Sequence, residues 1–112
     1  MDAAPDSQKT PSVSVVIATY NRAALLGETI ESVLKQRFRD FEIIVVDDGS
    51  TDGTQEVLKT YGDKIRCFHQ ENRGPSAARN LGIRQARGRW IAIQDSDDLC
   101  APDHLEVLFG FV

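Results

Sequence analysis

No apolar run in this sequence approaches the about 20 residues needed to span a bilayer, and the N-terminus lacks the apolar core of a signal peptide. Cysteine is scarce: Cys67 and Cys100 show neither metal-ligand spacing nor a paired framework. They read as reduced thiols of an intracellular protein, with one disulfide left open. Basic charge is not in excess either. Thirteen Lys and Arg against 17 Asp and Glu leave a net charge of −4, which argues against a nucleic-acid backbone as partner. The glycine fingerprint of dinucleotide-binding folds is missing after the first apolar run, where the turn is Thr19-Tyr20-Asn21-Arg22. His69 and His104 are too distant in sequence to suggest a metal pair. The expected location is cytoplasmic, with any membrane association made through parts outside this chain.

What is present fits one compact domain of modest core in 112 residues. Residues 1–11 are polar, carry Pro5 and Pro11 and lack periodicity, so they read as a disordered lead-in to a domain over 12–112. From Val13 the pattern alternates between two regimes. Val13-Ser14-Val15-Val16-Ile17-Ala18 and Phe41-Glu42-Ile43-Ile44-Val45-Val46 suit strands buried on both faces. The spacing predicts strands over 13–18, 41–46, 64–69 and 89–94, the third less apolar and nearer an edge. Helices are expected over 22–36, 53–61 and 75–87, with a fourth after Pro102. Asn21 is expected to cap the first and Asp52 the second. Gly74-Pro75 opens the third, because proline is preset for the first helical position. Trp90 is assigned to the core.

Such alternation predicts an α/β fold, a Rossmann-like doubly wound, mainly parallel sheet built of βα units. Ligands of such sheets bind beyond the carboxyl ends of the strands, where strand order reverses. Three polar clusters fall there: Thr19-Tyr20-Asn21, Asp47-Asp48-Gly49-Ser50 and Asp95-Ser96-Asp97-Asp98. With the second and third strands on one side of the first and the fourth on the other, all three face one crevice. The last cluster follows the apolar run Trp90-Ile91-Ala92-Ile93. Carboxylates so close repel one another and lose hydration, and a hard divalent cation relieves both penalties. The same stretch also fits a solvated turn that caps the next helix.

At this point the residues resemble a known family. Val15-Val16-Ile17-Ala18-Thr19-Tyr20-Asn21 and Ile44-Val45-Val46-Asp47-Asp48-Gly49-Ser50-Thr51-Asp52 are similar to motifs of the family-2 glycosyltransferases of the GT-A fold. Glu71-Asn72-Arg73-Gly74-Pro75-Ser76-Ala77-Ala78-Arg79-Asn80 and the acidic cluster resemble them equally, in order and spacing. Ala18 stands where the family usually has proline, a departure that touches only strand-end geometry.

The resemblance implies a nucleotide-sugar site, with a UDP-sugar as donor, in the nucleotide-binding half of a domain truncated at its C-terminus. Thr19, Tyr20, Asn21, Asp47, Asp48, Arg79, Asp95 and Ser96 would contact the nucleotide, and Asp97 would ligate Mn²⁺ or Mg²⁺. Tyr20 would lie on the base and Asp48 would accept its imino proton. Asp47 would mainly organise the turn. Arg79 would lie near the base or diphosphate, where its fixed charge and forked donors suit anionic oxygen. Asp95 would hold the ribose hydroxyls. Asp98 fits the pattern without a defined role.

The activity implied is metal-assisted sugar transfer with inversion. The acceptor is left open among saccharide, lipid-linked sugar and protein, and homo-oligomerisation is open as well. No residue here matches the family's general base, expected beyond Val112. The apolar ending Val107-Leu108-Phe109-Gly110-Phe111-Val112 and an uncovered fourth strand point the same way, and the chain alone is expected to be inactive. Two other classes compete. A non-catalytic nucleotide-binding or interaction module needs only the crevice. An aspartyl phosphotransfer domain would share the wrapping, but it needs an acidic pair after the first strand, where this chain has none.

Overall fold

A computed structural model describes residues 10–96, 102, 104 and 105. Strand β1 (Val13–Thr19) leads to helix α1 (Ala23–Leu34), then β2 (Phe41–Asp47) and α2 (Thr54–Lys59). A 3₁₀ turn (Gly62–Lys64), β3 (Arg66–His69), α3 (Pro75–Gln85) and β4 (Trp90–Asp95) follow. The four strands form one sheet in the order β3-β2-β1-β4, every pair parallel. The chain builds outward from β1 through β2 to β3, then returns to place β4 on the other side of β1. Strand order therefore reverses between β1 and β4, the arrangement under which the three polar clusters share one crevice.

The pleat sorts the central strands into two cores. Val13, Val15 and Ile17 of β1 and Ile43 and Val45 of β2 face one side, where Leu26, Ile30 and Val33 of α1 and Leu58 of α2 meet them. Val16, Ile44 and Val46 face the other side under α3, which contributes the buried Ala78. Each helix puts its apolar stripe on a β-branched sheet face, and burial of these side chains is the main stabilising term.

Three expectations need correction. Trp90 is 48% exposed rather than in the core. It opens an edge strand paired on one side only among the described residues, so the start of that apolar run stays on the rim. Ile91 and Ile93 are exposed too, alternating with buried Ala92 and Gln94. The third strand starts at Arg66, two residues late, because Gly62 has φ +55° and carries the chain through the 3₁₀ turn first. Neither Asn21 nor Asp52 holds its expected cap position: Arg22 does so for α1 and Gly53 for α2, each without a side-chain cap bond, although Asp52 still accepts from the Thr54 N–H. Of the expected helix after Pro102 only His104 and Leu105 are described, both helical, and Asp97 and Asp98 lie outside the described residues. So do residues 1–9 of the expected tail, of which Pro11 is buried. No described helix is long and apolar enough to cross a membrane.

Candidate functional site

A cavity of about 500 Å³ opens at the carboxyl ends of β1 and β4, at the reversal point. Thr19, Tyr20, Asp48, Arg79, Asp95 and Ser96 line it, so six of the eight residues expected at a nucleotide come together. Asn21 and Asp47 are not in its lining. Arg22, Asn72, Gly74 and Pro75 are, although none was among the nucleotide contacts expected from sequence. The signal was available for the last three, which sit inside the Glu71–Asn80 motif. Arg22 had only its neighbour Tyr20 to recommend it.

Asp48 joins the walls. It is 3% exposed, and protein donors occupy both carboxylate oxygens. Oδ1 accepts from Gln70 Nε2 at 2.8 Å and from the Arg73 backbone N–H at 2.8 Å. Oδ2 accepts from the Gly74 N–H at 3.0 Å and from Asn72 Nδ2 at 3.3 Å. Burial alone would raise its pKa. The bonds from Gln70, Arg73 and Gly74 outweigh burial and hold the carboxyl below its usual range. Asp48 is therefore a charged clamp on the loop before α3. That loop needs its glycine: Gly74 takes φ +99° as N-cap, which sets Pro75 at the start of α3. Gly49 lies against the same loop, where an added Cβ would come within 2.7 Å of the Asn72 nitrogen.

Asp47 lies beneath the cavity, 1% exposed. Its Oδ1 accepts from the Ser50 N–H at 3.1 Å, which closes the turn after β2 as the sequence implied. Its Oδ2 is buried without a hydrogen-bond partner, 3.4 Å from His69 Nδ1. Burial first, and then the charge of Asp47, push the nearby Cys67 thiol above its ordinary pKa, which makes it a poor nucleophile.

Asn21 turns away from the cavity into the β2–α2 loop. It adopts φ +52°, a left-handed conformation that asparagine tolerates better than most residues. Its Oδ1 accepts from the Thr51 N–H at 2.7 Å and the Asp52 N–H at 3.3 Å, and its own N–H donates to Ser50 Oγ at 2.9 Å.

Asp95 ends β4 exposed in the cavity, and Ser96 follows, 8% exposed. The Thr29 hydroxyl of α1 donates to the Ser96 carbonyl at 2.9 Å and ties the acidic turn to the helix. Farther along, Gln36 Oε1 accepts from the Leu105 N–H at 2.9 Å. Among the described residues no three His, Cys, Asp or Glu side chains converge as a metal cage. A cation here would take its protein ligands from the acidic turn, whose hard carboxylate oxygens suit Mg²⁺ or Mn²⁺.

The arrangement offers an exposed aromatic face at Tyr20, a fixed cation at Arg79 and a carboxylate at Asp95 around one opening. That set can hold a flat ring, an anion and hydroxyl groups together. The family model described as Glycosyl transferase family 2 matches residues 14–112. An uncharacterized glycosyltransferase of Rickettsia felis is 49% identical over 102 residues, covering 89% of this chain but 17% of its own length. The crystal structure of S. aureus TarS in complex with UDP-GlcNAc superposes with TM-score 0.78 at 33% identity, covering 89% of this chain and 30% of that one. A mannosyltransferase from Pyrobaculum calidifontis in complex with GDP-Man and Mn²⁺ gives TM-score 0.74 at 32% identity, covering 96% and 33%. The chain thus spans less than a third of each.

Proposed function

The chain belongs to glycosyl transferase family 2, and from that premise we propose that residues 12–112 form the nucleotide-sugar-binding part of a sugar-transferring enzyme. The donor is a nucleoside diphosphate sugar, with UDP-sugar the first choice. The observation that carries this reading is the cavity at the β1–β4 reversal, which gathers Tyr20, Asp48, Arg79 and Asp95 around one opening.

Each residue has a task. Tyr20, 46% exposed, offers its ring to the base. Asp48 spends most of its acceptor capacity on the protein. A base imino proton would displace the longest of its four contacts, the 3.3 Å bond from Asn72 Nδ2. Arg79 offers its forked guanidinium donors to the diphosphate oxygens. Asp95 accepts from the ribose hydroxyls, and Ser96 contributes to the same wall. Asp97, outside the described residues, is assigned to the metal. A divalent cation held there would supply positive charge against the diphosphate leaving group.

Transfer proceeds with inversion, by direct attack of an acceptor hydroxyl on the anomeric carbon. The acceptor's proton passes to a carboxylate base that we assign to the portion of its relatives' length this chain does not span. Withdrawing that proton in the transition state is worth about 10²–10⁴-fold in rate. The described residues bind and orient the donor.

Calorimetry with UDP and GDP, each with Mn²⁺, Mg²⁺ or chelator, tests the reading. UDP is expected to bind, more tightly with metal than with chelator. Arg79→Ala is expected to weaken both conditions about equally. Binding of neither nucleotide, or no preference for UDP over inorganic pyrophosphate, would count against it.

A further inference from the structure

We propose that Asp52, which does not line the cavity, is a positioning residue that sets its aromatic wall from a distance. The proposal rests on reading the cavity as a nucleotide-sugar site. Helix α1 starts without a cap of its own: Arg22 provides no side-chain bond and the first turn holds no acidic residue. The missing acceptor comes from 29 residues away. Asp52 Oδ2 accepts from the Ala23 N–H at 3.2 Å. Its other oxygen, Oδ1, accepts from the Thr54 N–H at 2.9 Å at the start of α2, where the Thr54 hydroxyl also donates to it. One carboxylate thus closes the N-termini of two helices. Two acceptor oxygens let one side chain face both helix starts at once.

The same two loops are laced by Asn21, whose Oδ1 takes the Thr51 and Asp52 N–H groups while its N–H donates to Ser50 Oγ. The residues on either side of Asn21 are Tyr20 and Arg22, and both line the cavity. The lacing therefore fixes the short span that presents them. A ring on an untethered loop must lose its freedom when it stacks on a ligand, whereas a tethered ring has lost it beforehand. Asp52 thereby raises donor affinity without touching the donor.

A bland alternative is that Asp52 merely caps helices, and substitution can separate the two roles. The asparagine side chain keeps one acceptor oxygen, so Asp52→Asn can still accept from the Thr54 N–H. Its amide nitrogen then faces the Ala23 N–H, donor against donor, and the link between loops is broken. The probe is UDP with Mn²⁺, titrated into the full chain and into Asp52→Asn, Asp52→Ala, Tyr20→Ala and the Tyr20→Ala/Asp52→Asn double variant. Asp52→Asn is expected to melt close to the parent yet bind UDP about five-fold more weakly, roughly the effect of one lost hydrogen bond. On the Tyr20→Ala background the same substitution is expected to change affinity little, because it acts through that loop. Parent-like affinity in Asp52→Asn would overturn the proposal and leave a helix cap. So would a full five-fold loss on the Tyr20→Ala background. A parent chain that binds neither UDP nor GDP would instead overturn the reading of the cavity, and this proposal with it.

Discussion

Gly82 of α3 stands over Val16 of the central strand so closely that a Cβ built on the glycine would come within 2.4 Å of Val16 Cγ1. Val16 is fully buried and β-branched, so it has little room to yield. This approach seats α3, and with it Ala78 and Arg79, against the sheet beside the cavity. Gly82→Ala is expected to destabilise the chain: overpacking costs about 1–3 kcal/mol, only partly offset by about 1 kcal/mol of better helix propensity. The urea midpoint measures it, and an unchanged or higher midpoint would show that α3 can lift freely.

A second expectation concerns Glu42, whose side chain is 8% exposed at the opposite end of the sheet. It accepts from Ser14 Oγ at 2.5 Å, Arg66 Nη1 at 2.9 Å, the Arg87 N–H at 2.8 Å and Arg87 Nε at 3.1 Å. Burial would raise its pKa. The bonds from Ser14, Arg87 and Arg66 overcome this and hold it below the ordinary value. A carboxyl whose folded pKa is depressed contributes stability fully present above the unfolded value. That stability is lost as pH falls through the lower, folded one. Glu42→Gln should therefore lower stability at neutral pH by about 1–3 kcal/mol, since charged hydrogen bonds are lost. It should also flatten the acid limb of a stability-versus-pH curve. An acid limb identical to the parent's would remove Glu42 from the account.

The clamp at Asp48 gives a third. Asp48→Asn replaces an acceptor pair with one oxygen and one NH₂ group, so one of the Arg73 or Gly74 N–H groups loses its partner. UDP affinity should fall by about ten-fold or more, since bonds to a charged group are worth about 1.5–3 kcal/mol. Asn72→Ala removes only the 3.3 Å contact and one bond to the Asp48 carbonyl. It should leave affinity nearly unchanged. Equal losses in the two variants would mean that the loop, and not the carboxylate, carries the effect.

Thr29 supplies the fourth. Thr29→Val keeps the shape of a side chain 1% exposed but deletes the hydrogen bond to the Ser96 carbonyl. The gain in UDP affinity from Mn²⁺ should shrink several-fold while affinity in chelator stays constant. A uniform loss in both conditions would place Thr29 in general packing and not behind the acidic turn.

How much of this could be read from sequence depended on the range of the forces involved. β1 and β2 were legible because β-branched runs buried on both faces leave a local pattern, and Gly74-Pro75 announced α3 for the same reason. The cavity's outline was legible because parallel strands deliver their carboxyl ends to one side. Trp90 was misread because composition does not say where a sheet stops. Asn21 was misread as a cap because its partners, Thr51 and Asp52, lie 30 and 31 residues on. The motif around Asp48 marked it for a ligand, but nothing local revealed that donors from residues 70–74 already surround it.

The long reach of these bonds also sets an order of events. The link from Asp52 to Ala23 joins residues 29 positions apart, and that from Asp48 to Gly74 joins residues 26 apart. A chain with only its first strand and helix in place has neither wall of the cavity. The first wall is completed when β2 and its following loop arrive, the second when the loop after β3 closes on Asp48. If the cavity takes a nucleotide, binding is thus withheld until these walls have closed and β4 has brought Asp95 and Ser96 to the opening. On that reading, a ligand present during synthesis would hold only chains whose sheet had assembled that far.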